Sequence, residues 1–118
     1  MISALRKLPM TEAERDGLFQ RLRCRILEFG SPTRIIVFGS YATNSVRVGS
    51  DLDVCVLFVS EAAADESMKR ILSVPPLLGL ATDYLFMSED RFRERAALGG
   101  VCAEITEKGI TIFDGAMP

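Results

Sequence analysis

FGSYATNSVRVGSDLDVCV, residues Phe38 to Val56, places Asp51 and Asp53 with one residue between them, directly after a loop carrying two Gly-Ser pairs, Gly39-Ser40 and Gly49-Ser50. Aspartate is depleted in β-strands, so its presence at the head of the apolar run Leu52 to Phe58 needs a cause. Side chains alternate across a strand, which sends Asp51 and Asp53 to one face and Leu52 and Val54 to the other. Two carboxylates are thereby aimed at one spot. Asp83 heads or enters a later apolar run, Tyr84-Leu85-Phe86-Met87, and reaches the same place if that strand lies beside the first.

Three such anions without a cation would repel and raise one another's pKa. Oxygen-only ligands of this kind suit magnesium, which binds through a few carboxylates plus substrate phosphates. Gly39 lets the backbone approach a phosphate, and Ser40 offers a hydroxyl and opens a short helix through Asn44, where free amides bind anions. Metal-binding carboxylates beside a phosphate cradle describe an in-line nucleotidyl-transfer site.

The chain around this stretch reads as alternating helices and strands. Thr11-Glu12-Ala13-Glu14 has capping-box spacing, and Leu18, Leu22 and Ile26 recur every four residues, predicting an amphipathic helix to about Phe29, stopped by Gly30 and Pro32. Arg34 to Phe38 is β-branched and short, a buried strand ending at Gly39. Ser60 to Leu72 has helical composition and cannot continue past Pro75-Pro76. After the Asp83 to Met87 strand, Ser88 is the expected N-cap of a helix with Glu89 and Asp90 in its first turn, broken at Gly99-Gly100. A last helix from about Val101 to Lys108 is expected to end at Gly109 as its C′ residue, before the strand Ile110 to Phe113. That order predicts an α/β (α+β) fold, a mixed sheet with helices packed on it.

With 118 residues, no repeat and no linker, residues 1–118 read as a single domain able to bury one core. The composition, 48% hydrophobic and 25% charged, is that of a soluble globular chain. A formal net charge of -2 argues against nucleic acid as a direct ligand and against anionic membranes. No segment reaches the roughly 18 apolar residues of a membrane span, and MISALRKLPM lacks the apolar core of a signal peptide, so the expected setting is the cytoplasm. Cys24, Cys55 and Cys102 are odd in number and widely spaced, and there is no histidine, which argues against a disulfide framework or a zinc site. Cys55, inside an apolar run, reads as a buried small hydrophobe.

Gly39-Ser40, ten intervening residues and then Asp51-x-Asp53 resemble the signature of the DNA polymerase beta-type nucleotidyltransferase superfamily. The strand before the glycine (IIVF), the SDLD run at Ser50 to Asp53, the strand with Asp83 and the tail EITEKGITIFDG at Glu104 to Gly115 resemble its minimal nucleotidyltransferase (MNT) branch, in order. The resemblance implies a polymerase beta-like fold in which Asp51 and Asp53 hold two Mg2+ ions. It makes Asp83 a third carboxylate that helps activate the acceptor hydroxyl, and Gly39, Ser40 and the adjoining Ser50 nucleotide-binding residues. One departure stands out: where family members often show Ala-Arg-Gly, this chain has Ala42-Thr43-Asn44, and Arg47 in the following loop is either the substitute cation or a solvated arginine.

MNT proteins of this kind are commonly paired with a small helical HEPN protein, a toxic ribonuclease in many pairs, and neutralise it by moving AMP from ATP onto a partner tyrosine. The expected function is that magnesium-dependent adenylyl transfer. The alternatives are nucleotidylation of a small hydroxyl compound such as an aminoglycoside, with the acceptor pocket made at a homodimer interface, and a non-catalytic antitoxin that blocks its partner by contact. The arginines of the first helix and Arg91, Arg93 and Arg95 read as solvated faces balanced by glutamates. Leu77-Leu78-x-Leu80 reads as core in preference to an exposed partner-binding edge.

Overall fold

The Thr11 hydroxyl accepts from the Glu14 N–H at 3.0 Å and the Glu14 carboxylate accepts from the Thr11 N–H at 2.8 Å, which completes the capping box that starts the first helix. In this computed structural model, which describes residues 10–115, that helix is α1 (Glu12–Glu28). There follow β1 (Arg34–Phe38), α2 (Ser40–Thr43), β2 (Leu52–Phe58), α3 (Glu61–Leu72), β3 (Thr82–Ser88), α4 (Glu89–Ala97), α5 (Gly100–Lys108) and β4 (Ile110–Asp114). Serines cap α3 and α4: Ser60 accepts from the Ala63 N–H and Ser88 from the Arg91 N–H, both at 3.1 Å.

The four strands form one mixed sheet in the order β3-β2-β1-β4. β1 runs antiparallel to both β2 and β4, while β2 and β3 are parallel. A tight hairpin cannot join parallel neighbours, and α3 is the crossover between them. Helices cover both faces. On one, Leu18, Leu22 and Ile26 of α1 and Ala64 and Ile71 of α3 pack on Ile35, Val37, Leu52, Val54, Val56 and Phe58. On the other, Phe92 of α4 and Cys102 and Ile105 of α5 pack on Ile36, Cys55, Leu57 and Met87. Being covered on both sides, β2 is a nearly continuous apolar run in which Asp53 is the exception.

Cys55 is fully buried, as its neighbours predict, and burial pushes its thiol up to about 12. Two expectations change. Gly109 follows α5 but is extended (φ -71°, ψ 157°) and not left-handed; glycine fits there because a Cβ would lie 2.5 Å from the Ile105 carbonyl oxygen and 2.6 Å from Ile36 Cγ2. The leucine run after Pro75-Pro76 is not uniformly core: Leu80 is buried, Leu77 half-buried and Leu78 exposed, because Leu77–Gly79 forms a single tight turn that splits their directions.

The end of the sheet where β1 begins is pinned by an ion pair that the sequence did not announce. Arg34 forks onto Glu89, Nε to Oε2 and Nη2 to Oε1, each at 2.9 Å, and the Thr33 hydroxyl adds a bond to Oε2 at 2.6 Å. The same guanidinium lies over the Phe92 ring, 5.6 Å from its centroid, so one side chain fastens α4 to β1.

Candidate active site

The opposite end of the sheet carries the aspartates. Strand pairing aligns three positions on one rung: Phe38 of β1 faces Asp53 of β2, and Asp53 faces Asp83 of β3. Paired residues in adjacent strands share a face, so the Asp53 and Asp83 carboxylates stand side by side on the face that carries Cys55, Leu57 and Met87. Asp51 lies one residue before β2, exposed at its entrance. Where the apolar residues of this face meet α4 and α5 they are buried; at its end, beyond that cover, the same face turns acidic.

The closeness of the charges registers on Asp53. Its carboxyl is pushed above the usual aspartate range, first by partial burial, then by the negative charges of Asp83 and Asp51. Gly39 closes the other side. It caps α2 with φ 70° and ψ -150°, and a Cβ built on it would come within 2.2 Å of Asp53 Oδ2. Glycine is needed here twice over, for the positive φ and for the approach to the carboxylate.

After α2, Asn44 adopts the left-handed conformation (φ 57°), and the chain returns through a turn in which the Ser50 N–H donates to the Arg47 carbonyl at 2.9 Å. The Ser50 hydroxyl accepts from the Arg47 N–H at 2.8 Å, so its first task is to shape this turn. Arg47 stands exposed on it. Thr43 turns its hydroxyl back to the Gly39 carbonyl at 3.3 Å and lies 2.8 Å from Ser45 Oγ.

The structure thus brings Asp53, Asp83 and Gly39 into direct proximity, keeps Asp51 within electrostatic range, and leaves Arg47 at the loop tip. Among the described residues, no group of three or more His, Cys, Asp or Glu side chains is gathered into a finished metal cage. Magnesium does not require one, since it dehydrates reluctantly and is typically held by one or two carboxylates, waters and substrate phosphates. An all-oxygen donor set whose central member is held out of its usual range by burial and then by like charge fits such an ion. The site is an open shelf: Asp51 and Asp83 are exposed, whereas a groove of about 530 Å³ lies along α1 from Gly17 to Glu28, on the other side of the sheet.

Residues 20–112 match the nucleotidyltransferase domain family. The chain belongs to that family, and its mixed sheet with helices on both faces is a nucleotidyltransferase fold. Its structure is similar to a chain of a solved toxin–antitoxin complex with AMP-PNP, with a TM-score of 0.58 and 19% identity over 81% of this chain and 73% of the other. At that identity the likeness speaks for the fold. No curated protein matches the sequence. No helix among the described residues is long and apolar enough to cross a membrane.

Proposed function

We propose that this protein is a magnesium-dependent adenylyltransferase, moving AMP from ATP to a tyrosine hydroxyl of a small helical toxin of the HEPN type and thereby acting as its antitoxin. One observation carries the reading: Asp53 and Asp83 share a rung of the sheet, with Asp51 in range and Gly39 against the Asp53 carboxylate. In this reading Asp51, Asp53 and Asp83 hold the metal. Bound there, Mg2+ would neutralise charge at the attacked phosphate and make the acceptor oxygen a better nucleophile. In the same reading Gly39 and Ser40, at the end of β1, would let the phosphates approach the backbone, and Arg47, exposed on the turn it forms with Ser50, would meet them from the loop.

The openness of the site bears on the acceptor. A shelf with two exposed carboxylates does not enclose a small molecule, so the acceptor must be presented by another body, which favours a protein hydroxyl. The likeness to a chain from a toxin–antitoxin complex points the same way. Thr43 in place of arginine favours a second reading, a non-catalytic antitoxin that keeps the fold.

Mass spectrometry of a co-purified HEPN partner after incubation with ATP and Mg2+ separates the two. Catalysis joins the tyrosine oxygen to the α-phosphorus of ATP, breaks the α–β phosphoanhydride bond with release of pyrophosphate, and so adds one adenylyl group to the partner. An unmodified partner that is nevertheless inhibited by the wild-type protein would establish the non-catalytic role.

A further inference from the structure

Residues 39–53 contain two groups that repel a triphosphate or must be neutralised by metal, Asp51 and Asp53, and the neighbouring strand adds Asp83, against one basic side chain in that stretch, Arg47. α2 brings no cation, and the Thr43 hydroxyl at its end is turned back on its own helix. A second positive group is nonetheless set down at this end of the sheet by a segment distant in sequence. α5 packs on the same face as Asp53, since its Cys102 and Ile105 share a core with Ile36, Cys55 and Leu57. It ends at Lys108, and Gly109 then presses so closely on β1 that a Cβ would lie 2.6 Å from Ile36 Cγ2.

The register completes the placement. Ile110 pairs with Val37; the next residue of β1, Phe38, pairs with Asp53, and the one after it, Gly39, abuts the Asp53 carboxylate. Lys108 therefore sits at the carboxylate end of the sheet, on the helix that covers the carboxylate face, beside the strand next to β2. It is exposed, and the ion pairs among the described residues engage Arg34, Arg70, Arg91 and Arg93 instead. Lys69 and Arg70 belong to α3, which packs on the opposite face.

We propose that Lys108 is a phosphate-binding residue of this site, its ammonium meeting the nucleotide's phosphates from the α5 side while Arg47 meets them from the loop. A lysine suits the role as a point charge on a flexible four-carbon stem, able to reach from a helix end without a fixed fork geometry. The proposal rests on the nucleotide-transfer reading above.

The test is calorimetric titration of the purified protein with Mg2+·AMP-PNP, comparing wild type with Lys108→Ala, Lys108→Arg and Lys69→Ala, and thermal unfolding of each. Loss of one charge-assisted contact to phosphate is expected to weaken binding by about tenfold in Lys108→Ala. Lys108→Arg should recover most of it and Lys69→Ala should match wild type, with all melting alike. Lys108→Ala binding as wild type does, or Lys69→Ala weakening it as much, would overturn the assignment of Lys108 and leave the site reading intact. Failure of the wild type to bind Mg2+·AMP-PNP at all would overturn that reading and this inference with it.

Discussion

Asp53 of β2 and Asp83 of β3 occupy the same rung of a parallel strand pair, where their carboxylates share one face at the open end of the sheet. Burial and the two neighbouring aspartates raise the Asp53 pKa. The native state therefore holds the Asp53 proton more tightly than the unfolded chain, whose aspartates titrate near about 3.9. Folding stability contributed at this residue is greatest below that value and falls as pH rises through the native pKa. Asp53→Asn removes the penalty, so at neutral pH the variant should be as stable as wild type or more so, by at most about 1 kcal/mol for so exposed a cluster. Thermal unfolding across acid to neutral pH should show the gap widening upward, with nucleotide transfer to the partner abolished. A variant that transfers at the wild-type rate would remove Asp53 from the site.

Gly39→Ala attacks the same carboxylate from the other side. The new methyl would need the space of Asp53 Oδ2, 2.2 Å away, on a backbone with φ 70°. Strain of this kind costs about 1–3 kcal/mol, and it should appear as a lower urea midpoint with an unchanged slope. Binding of Mg2+·AMP-PNP should fall further than stability does, because relief comes by displacing Asp53. Gly49→Ala, where a Cβ meets nothing, serves as the control for positive φ alone.

Much of this was legible in the chain because local chemistry and global fold agree. The Thr11 and Ser88 caps, the stripe Leu18, Leu22 and Ile26, and the alternation of Leu52 and Asp53 each have one good structural solution. That Asp83 joins Asp53 depended on an unread quantity, the neighbour of β2. Sequence could state it only as a condition, which the parallel register satisfies. Gly109 was misassigned because a glycine after a helix has two explanations, left-handed backbone and close packing, and only the position of Ile36 chooses between them. The Arg34–Glu89 fork escaped for the same reason: it pairs residues more than fifty apart, and its charges look solvated until the sheet order is known.

Arg34→Ala should be the most costly surface substitution at the far end. It frees the Glu89 carboxylate of two bonds at 2.9 Å and uncovers Phe92, for an expected loss of about 1–3 kcal/mol at neutral pH. The sign of the pH dependence is opposite to that of Asp53. Glu89 is held below the usual glutamate range, chiefly by the Arg34 hydrogen bond, so the stability it lends is present above the unfolded value near about 4.3 and disappears as pH falls through its native pKa. The gap between wild type and Arg34→Ala should therefore narrow in acid to the share contributed by the contact with Phe92, measured by thermal unfolding. A gap as wide at the lowest pH as at neutral pH would show that the arginine acts through Phe92 and not through Glu89.

Metal dependence tests the carboxylate cluster as a whole. Without cations, Asp51, Asp53 and Asp83 repel a triphosphate, and two basic side chains, Arg47 and Lys108, offset only part of that field; with Mg2+ the repulsion becomes attraction through ions shared by carboxylate and phosphate oxygens. ATP should accordingly bind weakly in chelator and at least about tenfold more tightly in millimolar Mg2+, a difference of about 1.4 kcal/mol on the titration curve. Asp53→Asn should bind ATP no worse than wild type in chelator, since it removes one repelling charge, and should gain less from the metal. The crossing of these two effects in a single variant is the signature of a metal-binding carboxylate, because a residue that merely supports the fold would lose affinity under both conditions. Equal affinity with and without Mg2+ in the wild type would mean that the nucleotide rests on Gly39, Ser40 and the cations around them, with the aspartates serving some purpose other than holding metal.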